Sequence, residues 1–136
     1  MPVAASALQA AVFARLTSDM ALLAALGGAK VFDDAPRDPG FPYITFGQTV
    51  ERDWSTASEE GSEHVLTLHV WSRARGKREA QAIMDAARAA LHDQSLTLDG
   101  HHLVNLRHEF AETRRDPDGE TYHGILRFRA VTEPQV

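Results

Sequence analysis

The sequence predicts an α+β fold in which an antiparallel sheet carries its helices on one face, as a two-layer sandwich. Three observations predict it: helical segments open the chain, strands with period-two spacing follow, and one amphipathic helix interrupts those strands. Turn signals at Asp99-Gly100 and at Asp116–Gly119 favour hairpins, which join antiparallel strands. The predicted order of elements is ααββαβββ.

Two helices are predicted at the start of the chain. Residues from about Ala5 to Leu16 are rich in alanine, and their leucine and valine residues recur every four positions, which is typical of a helix. Ser18 or Asp19 can cap a second, shorter helix that ends at Gly27-Gly28. Three prolines and a glycine then predict a turn-rich connector from residue 35 to residue 42.

The middle of the chain predicts a hairpin followed by a helix. Tyr43–Arg52 is a strand of aromatic and β-branched residues, and the polar segment Asp53–Ser62 is a long hairpin loop. His64–Trp71 alternates with period two. After Gly76 the apolar residues recur at helical spacing as far as Leu91, so one face of this helix must pack against the sheet.

The last third predicts further strands. Leu96–Leu98 is a short apolar patch, and the alternation over His102–Phe110 assigns its even-numbered residues to one face. Tyr122–Val131 is the returning strand. Its predicted inner face consists of Tyr122, Leu126, Phe128 and Ala130.

The composition of the chain argues against several classes of site and of protein. The 136 residues fit one domain, and the absence of cysteine excludes disulfides, thiolate metal sites and cysteine nucleophiles. A formal net charge of −5 argues against a general nucleic-acid binder, which needs a basic face to displace counterions. The apolar run Met20–Leu26 is too short to span a bilayer, so we expect a soluble cytoplasmic protein without membrane contact.

Candidate catalytic and metal-binding groups are few. Seven histidines suggest a metal site, and His69, His108 and His123 can meet on the outer sheet face if the strand register allows it. The alternative is that they are polar residues of that face. The paired aspartates lie beside prolines in turns, where Asp bonds the local backbone, and no phosphate loop or nucleophile motif occurs. The sequence therefore predicts no catalytic, metal or cofactor residue.

Two segments are candidate protein interfaces. Trp54 stands in the polar loop with Glu59 and Glu60, where an exposed aromatic either anchors a partner or folds back on its own domain. A basic patch follows Trp71, in a turn that is either solvated or in contact with phosphate or an acidic neighbouring subunit. The predicted interface residues are Trp54, Glu59, Glu60, Trp71, Arg73, Arg75 and Arg78.

Four motifs resemble one protein family. They are FPYITFG at 41–47, HVLTLHVWSR at 64–73, IMDAARAAL at 83–91 and RDPDGETYHGILRFRA at 115–130. Together they are similar to the small tail-completion, or tail terminator, proteins of tailed bacteriophages and gene transfer agents, long catalogued as a domain of unknown function. The resemblance covers nearly the whole chain, so residues 1–136 are expected to form one tail-terminator-like domain. It implies a fold similar to the phage lambda tail terminator, a subunit of a hexameric ring.

The resemblance implies a structural, non-enzymatic role. Such a ring caps the tail tube, stops its polymerisation and joins it to the head, and DNA passes through its lumen without specific binding. The implied partners are further copies of the chain, the major tail tube protein and a head–tail connector or neck protein. The implied location is the host cytoplasm during assembly and the particle afterwards.

By position, the loop Trp54–Glu60 is expected to reach the tube, and Trp71–Arg78 to lie at a subunit boundary. Two alternatives stay open. One is an adaptor or stopper on the head side of the neck. The other is a small metal-dependent enzyme or ligand-binding protein that uses His69, His108 and His123.

Overall fold

The computed structural model describes residues 2–135, which form a five-stranded sheet and three helices. The predicted α+β class is confirmed. In chain order the elements are α1 (Ala4–Leu16), α2 (Met20–Leu26), β1 (Val31–Phe32), β2 (Tyr43–Asp53), β3 (Ser62–Ser72), α3 (Arg78–Leu91), β4 (His101–Arg115) and β5 (Tyr122–Pro134).

The two N-terminal helices have the ends that the sequence predicts. Asp19 caps α2 by accepting a hydrogen bond of 2.9 Å from the Leu22 backbone N–H. Gly27 ends the helix in the left-handed conformation at φ 75°, which a residue without Cβ adopts at low cost. Among the described residues no single helix is long and apolar enough to cross a bilayer, although α1 and α2, bent by 77°, pass by length and composition as a pair.

The sheet is mixed, which corrects the expectation of an antiparallel sheet. Its order is β1-β2-β3-β5-β4, and β2, β3, β5 and β4 are antiparallel to their neighbours. The strand β1 pairs in parallel with the start of β2, so that Val31 lies opposite Ile44. Two residues are too few to show an alternation, and for this reason no sequence pattern predicts β1.

The apolar patch Leu96–Leu98 is not a strand of its own. Only Leu98 takes part in pairing, through an isolated bridge to His101. The patch instead packs on the core, because Leu98 is buried and Leu96 is partly buried against it. The predicted order ααββαβββ therefore had the correct number of strands with one in the wrong place.

The core lies between the helices and one face of the sheet. The inner residues of β3 and β5 alternate as predicted: Leu66 lies opposite Phe128 and Leu68 opposite Leu126, and all four are buried. They pack against buried residues from all three helices, which cover this face alone. Half-buried Tyr122 begins the inner row of β5.

The strand β4 does not follow the predicted simple alternation. Bulges interrupt its register between Leu103 and Asn105 and between His108 and Phe110. Each bulge inserts one residue, which moves the following side chains to the other face. As a result Leu103 packs against the core, whereas Val104 and Phe110 are 48% and 38% exposed.

Close contact between α3 and β5 depends on a glycine. Gly124 lies opposite Val70 on the inner side of the sheet, and a Cβ at this position would lie 2.4 Å from the Sδ atom of Met84. A separation this short is far inside van der Waals contact. The Met84 side chain of α3 thus occupies the space that a side chain at residue 124 would take, and it would have to shift if one were present.

We expect Gly124→Ala to lower the free energy of unfolding by about 1–3 kcal/mol through overpacking, and Met84→Ala to lower it by about 2–5 kcal/mol by leaving a cavity. In the double variant the new methyl group enters that cavity. The combined loss is therefore expected to be smaller than the sum. Urea denaturation of the four proteins measures this coupling, with exposed Met20→Ala as the control. Strictly additive losses would show that Met84 does not impose the glycine.

Candidate protein-interaction surface

The sheet face that points away from the helices is uncovered in the described part of the chain. We call it the open sheet face. Its side chains are every second residue of β3 from Glu63 to Trp71 and of β5 from His123 to Glu133, with the outward residues of β2 and β4 on either side. Several of these side chains are nevertheless buried, because long neighbouring side chains lie flat across them.

An aromatic stack occupies one end of the open sheet face. The rings of Trp71 and His123 lie 4.0 Å apart and within 9° of parallel, and Tyr43 follows on the other side at 6.3 Å. The indole N–H of Trp71 donates a hydrogen bond of 3.0 Å to the hydroxyl of Thr45. The tryptophan is therefore held flat and half-buried, so its orientation is fixed before any partner binds.

Two histidines are hydrogen-bonded beside this stack. His69 Nδ1 lies 2.7 Å from His123 Nε2, and His123 Nδ1 lies 3.8 Å from a carboxylate oxygen of Asp116. Burial lowers the pKa of His69, and the nearby Arg114 and Arg127 lower it further. Burial also lowers the pKa of His123, with His69 as the next cause. Both rings are accordingly neutral near pH 7, and one donates its proton to the other.

A second glycine makes space for this pair. A Cβ on Gly47 of β2 would lie 2.3 Å from His69 Nε2 and 2.6 Å from its Cδ2. The ring of His69 therefore lies over the backbone of β2 at the position where a side chain would otherwise stand.

The structure does not assemble His69, His108 and His123, which the sequence analysis considered as a possible metal site. The bulge in β4 leaves His108 on the helix-bearing side, where its ring meets Phe128 edge-on at 5.4 Å and its backbone N–H donates to His92 Nδ1. His69 and His123 lie on the opposite face. Within residues 2–135, no three His, Cys, Asp or Glu side chains are placed to hold a metal ion.

The β2–β3 connection is an ordered extension of the hairpin; we call residues 54–61 the hairpin tip. The Trp54 N–H donates to the Gly61 carbonyl, and the Thr56 N–H donates to the Glu59 carbonyl, both at 2.8 Å. Hydrogen bonds from Ser55 lower the pKa of Asp53 at its base. These bonds hold the tip in one conformation, and every residue from Trp54 to Glu60 is exposed.

Trp54 folds back on its own domain at one side only. The Arg129 guanidinium lies 5.1 Å from the centre of its ring, and the same arginine donates a hydrogen bond of 2.6 Å to Glu63. Trp54 is thus attached to its own sheet at one side. Its side chain is still 54% exposed, so a large apolar surface stays available for a partner.

The basic residues after Trp71 divide into two parts. Arg73 lies 4.4 Å from the centre of the Phe41 ring and donates to the Thr121 hydroxyl at 3.2 Å. Arg73 and Arg75 line one groove beside the β4–β5 turn, whereas exposed Arg78 begins α3. The patch that is continuous in the sequence is therefore divided between this groove and the start of α3.

The seven predicted interface residues form two groups rather than one site. Trp54, Glu59 and Glu60 lie beyond the first residue of β3, and Trp71 and the arginines lie at its last residues. The strand has eleven residues, which at about 3.3 Å per residue places the groups roughly 33 Å apart. Contacts at the two ends must involve different surfaces of a partner or different partners.

The sequence predicted that His69 and His123 can meet on the outer sheet face, and the structure confirms this for these two residues. The outward arginines were not predicted as members of the same surface. One signal was present: Arg127 and Arg129 alternate with the apolar Leu126 and Phe128, which places both arginines on the outer face of β5. Their position on the same surface as Trp71 depends on β5 pairing with β3 as well as with β4, and no local pattern contains that information.

Comparison with known proteins gives consistent matches. The family described as tail completion protein gp17 matches residues 10–133. The tail completion protein gp17 of Bacillus phage SPP1 is 29% identical over 126 residues, which make up 93% of this chain and 92% of that protein. A chain in the solved virion of a native gene transfer agent particle has a TM-score of 0.89 and 33% identity, covering 98% of this chain and 99% of its own. The structure of SPP1 gp17 has a TM-score of 0.63 and 27% identity, covering 95% and 91%.

Acidification is expected to destabilise the fold. Burial lowers the pKa values of His64, His69, His108 and His123 below their ordinary value of 6.5. Below pH 6.5 the unfolded chain therefore binds more protons than the folded chain, so stability is full above that pH and falls as the pH decreases. Urea denaturation between about pH 7.5 and pH 5 measures the slope. The slope of stability against pH is expected to be shallower in the double variant His69→Gln/His123→Gln than in the native protein. In the exposed control His102→Gln it is expected to equal that of the native protein. Equal slopes in all three proteins would contradict the assignment.

Proposed function

The chain belongs to the tail completion protein gp17 family, and on this premise we propose that it is a structural protein that completes the tail of a phage or gene-transfer-agent particle. The observation that carries the proposal is its full-length similarity to a chain within a gene-transfer-agent virion. We further infer that residues 1–136 act as one tail-terminator domain. Copies of it form a ring, with six as the expected number, that caps the tail tube and joins it to a neck protein of the head.

A terminator works by contact, without chemistry. It must bind the end of the tube more tightly than the next tube subunit does, and its far side must offer no surface that matches another tube subunit. A ring multiplies modest affinities, because each contact after the first is intramolecular. It also requires two different patches on each subunit, since a cyclic ring of more than two copies uses head-to-tail contacts.

The hairpin tip is the proposed contact with the tube. Its exposed aromatic, its two carboxylates and its internal hydrogen bonds support this assignment. A loop that is already ordered loses little conformational entropy when a partner binds it. The opposite end of β3, from Trp71 to Arg78, is proposed to lie at a boundary between subunits, where Trp71 is held flat by Thr45.

DNA is proposed to pass through the lumen of the ring without specific binding. The formal net charge of −5 supports this, because an acidic protein does not retain a phosphate backbone. Assembly is proposed to occur in the cytoplasm of the bacterial host, and the finished subunit stays at the junction of tail and neck.

Deletion of the gene in a producer strain tests the function, with particles scored by electron microscopy for tail length and head attachment. Overlong tails beside unattached heads are expected, because nothing would stop growth of the tube. Tails of normal length that fail to join heads would identify a head-side adaptor or stopper instead. Intact, infectious or DNA-transferring particles would refute the structural role.

The combined variant Trp54→Ala/Glu59→Ala/Glu60→Ala is expected to fold but to lose tube binding. Truncation of an aromatic anchor costs about 2–4 kcal/mol at a protein interface. The lower figure corresponds to an affinity about 30-fold weaker. Cosedimentation with purified tubes measures binding, and circular dichroism measures folding. Ser58→Ala, at the same exposed tip, is the control. Normal capping by the triple variant would remove the tip from the mechanism.

A further inference from the structure

The open sheet face has a charge opposite to that of the whole chain. Its outward positions hold five arginines and three glutamates, a formal charge of +2, in a chain whose net charge is −5. They are Arg52, Arg107, Arg114, Arg127, Arg129, Glu63, Glu112 and Glu133. The two lysines of the chain, Lys30 and Lys77, lie outside this face. Arginine and aromatic residues without lysine are the composition of a protein interface rather than of ordinary solvated surface.

Three of these arginines are available to a partner. Arg129 is paired with Glu63 at 2.6 Å, and Arg107 is paired with Asp93 at 2.9 Å. Among residues 2–135, no carboxylate oxygen lies within 4.0 Å of Arg52, Arg114 or Arg127, all of which are exposed. The guanidinium of Arg127 instead lies over the ring of Phe110 at 4.7 Å. The face thus presents free cations on a flat, partly aromatic support, which suits an acidic protein surface.

The same chain carries an acidic surface elsewhere. Glu51, Asp53, Glu60 and Glu133 line a groove between the base of the hairpin and the start of α1, which we call the acidic groove. Glu51 and Asp53 lie opposite His64 and Ser62, whose side of the sheet bears the helices. Glu133 lies opposite His102 on the outward side, at the rim of the groove. The acidic groove therefore faces mainly away from the open sheet face.

We propose that the open sheet face docks onto the acidic groove of the next copy of this chain, and that this contact, repeated head to tail, closes the ring. The inference rests on the ring of the proposed function and identifies the two surfaces that build it. Opposite charge and opposite direction are the two properties that a head-to-tail contact requires. A face-to-face pair of open sheet faces is disfavoured, because like charges would meet.

Nucleic acid is the weaker candidate for the same face. Outside the open sheet face the chain carries a formal charge of −7, which repels a phosphate backbone as it approaches. An aromatic ring held flat by a hydrogen bond to Thr45 also fits an apolar protein patch, such as Val3 and Ala4 in the acidic groove. The proposal therefore assigns the surface to a second copy.

Two charge-reversed subunits test the contact. The sheet variant carries Arg114→Glu and Arg127→Glu, and the groove variant carries Glu51→Lys and Glu133→Lys. In either variant alone, no contact joins surfaces of opposite sign, because the sheet variant has two acidic surfaces and the groove variant has a neutral groove. When both are expressed together, the basic face of the groove variant meets the acidic groove of the sheet variant at every second contact. At the other contacts the acidic face of the sheet variant meets a groove that no longer repels it. The mixture can then form a ring in which the two variants alternate.

The variants are expressed singly and together in the producer strain that lacks the native gene. Each alone is expected to reduce the yield of complete particles at least 100-fold, about the effect of losing 3 kcal/mol at each contact. Co-expression is expected to restore the yield, with equal amounts of the two variants in purified particles. Native mass spectrometry of the purified pair is expected to show rings with even numbers of subunits only. The control is Arg37→Glu/Arg88→Glu. It has the same charge change as the sheet variant, but at exposed sites outside the open sheet face, and it is expected to assemble alone.

Other outcomes overturn the proposal. Normal particles from either variant alone would show that the charges do not form the contact. Failure of both variants without rescue by co-expression would mean that the face binds another partner, such as the tube. Complete rings of the sheet variant that package DNA poorly would assign the face to nucleic acid. These outcomes are distinct from failure of the proposed function, which the deletion strain alone would reveal through tails of normal length.

Discussion

Packing of three helices on one face of the sheet is the constraint on which the rest of the structure depends. One close contact joins Met84 of α3 to Gly124 of β5, where the methionine side chain fills the space that a Cβ would otherwise take. The contact buries the rows of β3 and β5 that contain Leu66, Leu68, Leu126 and Phe128. Since the helices provide only one layer, the outward rows of the same strands receive no cover from them.

The side chains of the open sheet face themselves cover the outward rows. Trp71 stacks on His123, and the arginines of β5 lie across Phe110 and Trp54, so that Ile125 and Val131 are almost excluded from water without a second layer. Such a surface can stay hydrated and can also bind a partner with little rearrangement. This combination suits a subunit that is made singly and works in an assembly.

Most of the local structure could be predicted from the sequence, but little of the arrangement of the open sheet face could. The periods of β3 and α3, the Asp19 cap and the Gly27 stop are local signals, and the structure has these elements where the pattern places them. The pairing of β5 with β3, the parallel β1 and the two bulges in β4 depend on contacts between distant segments. For this reason the alternation placed His108 and Phe110 on one face, whereas the bulge between them puts His108 on the inner face and Phe110 on the outer face. The sequence allowed His69 and His123 to meet on one face, but it contained no sign of the hydrogen bond between them.

The bulges of β4 have a consequence for solubility. This strand has fifteen residues and lies at the edge of the sheet, where unpaired backbone groups can recruit a strand from another molecule. Its bulges bend the edge in two places, so a straight incoming strand can match only short stretches of it. The opposite edge is protected differently, because the start of β2 is covered by β1. Subunits crowded together in one place are thereby kept from merging into fibrils through their sheet edges.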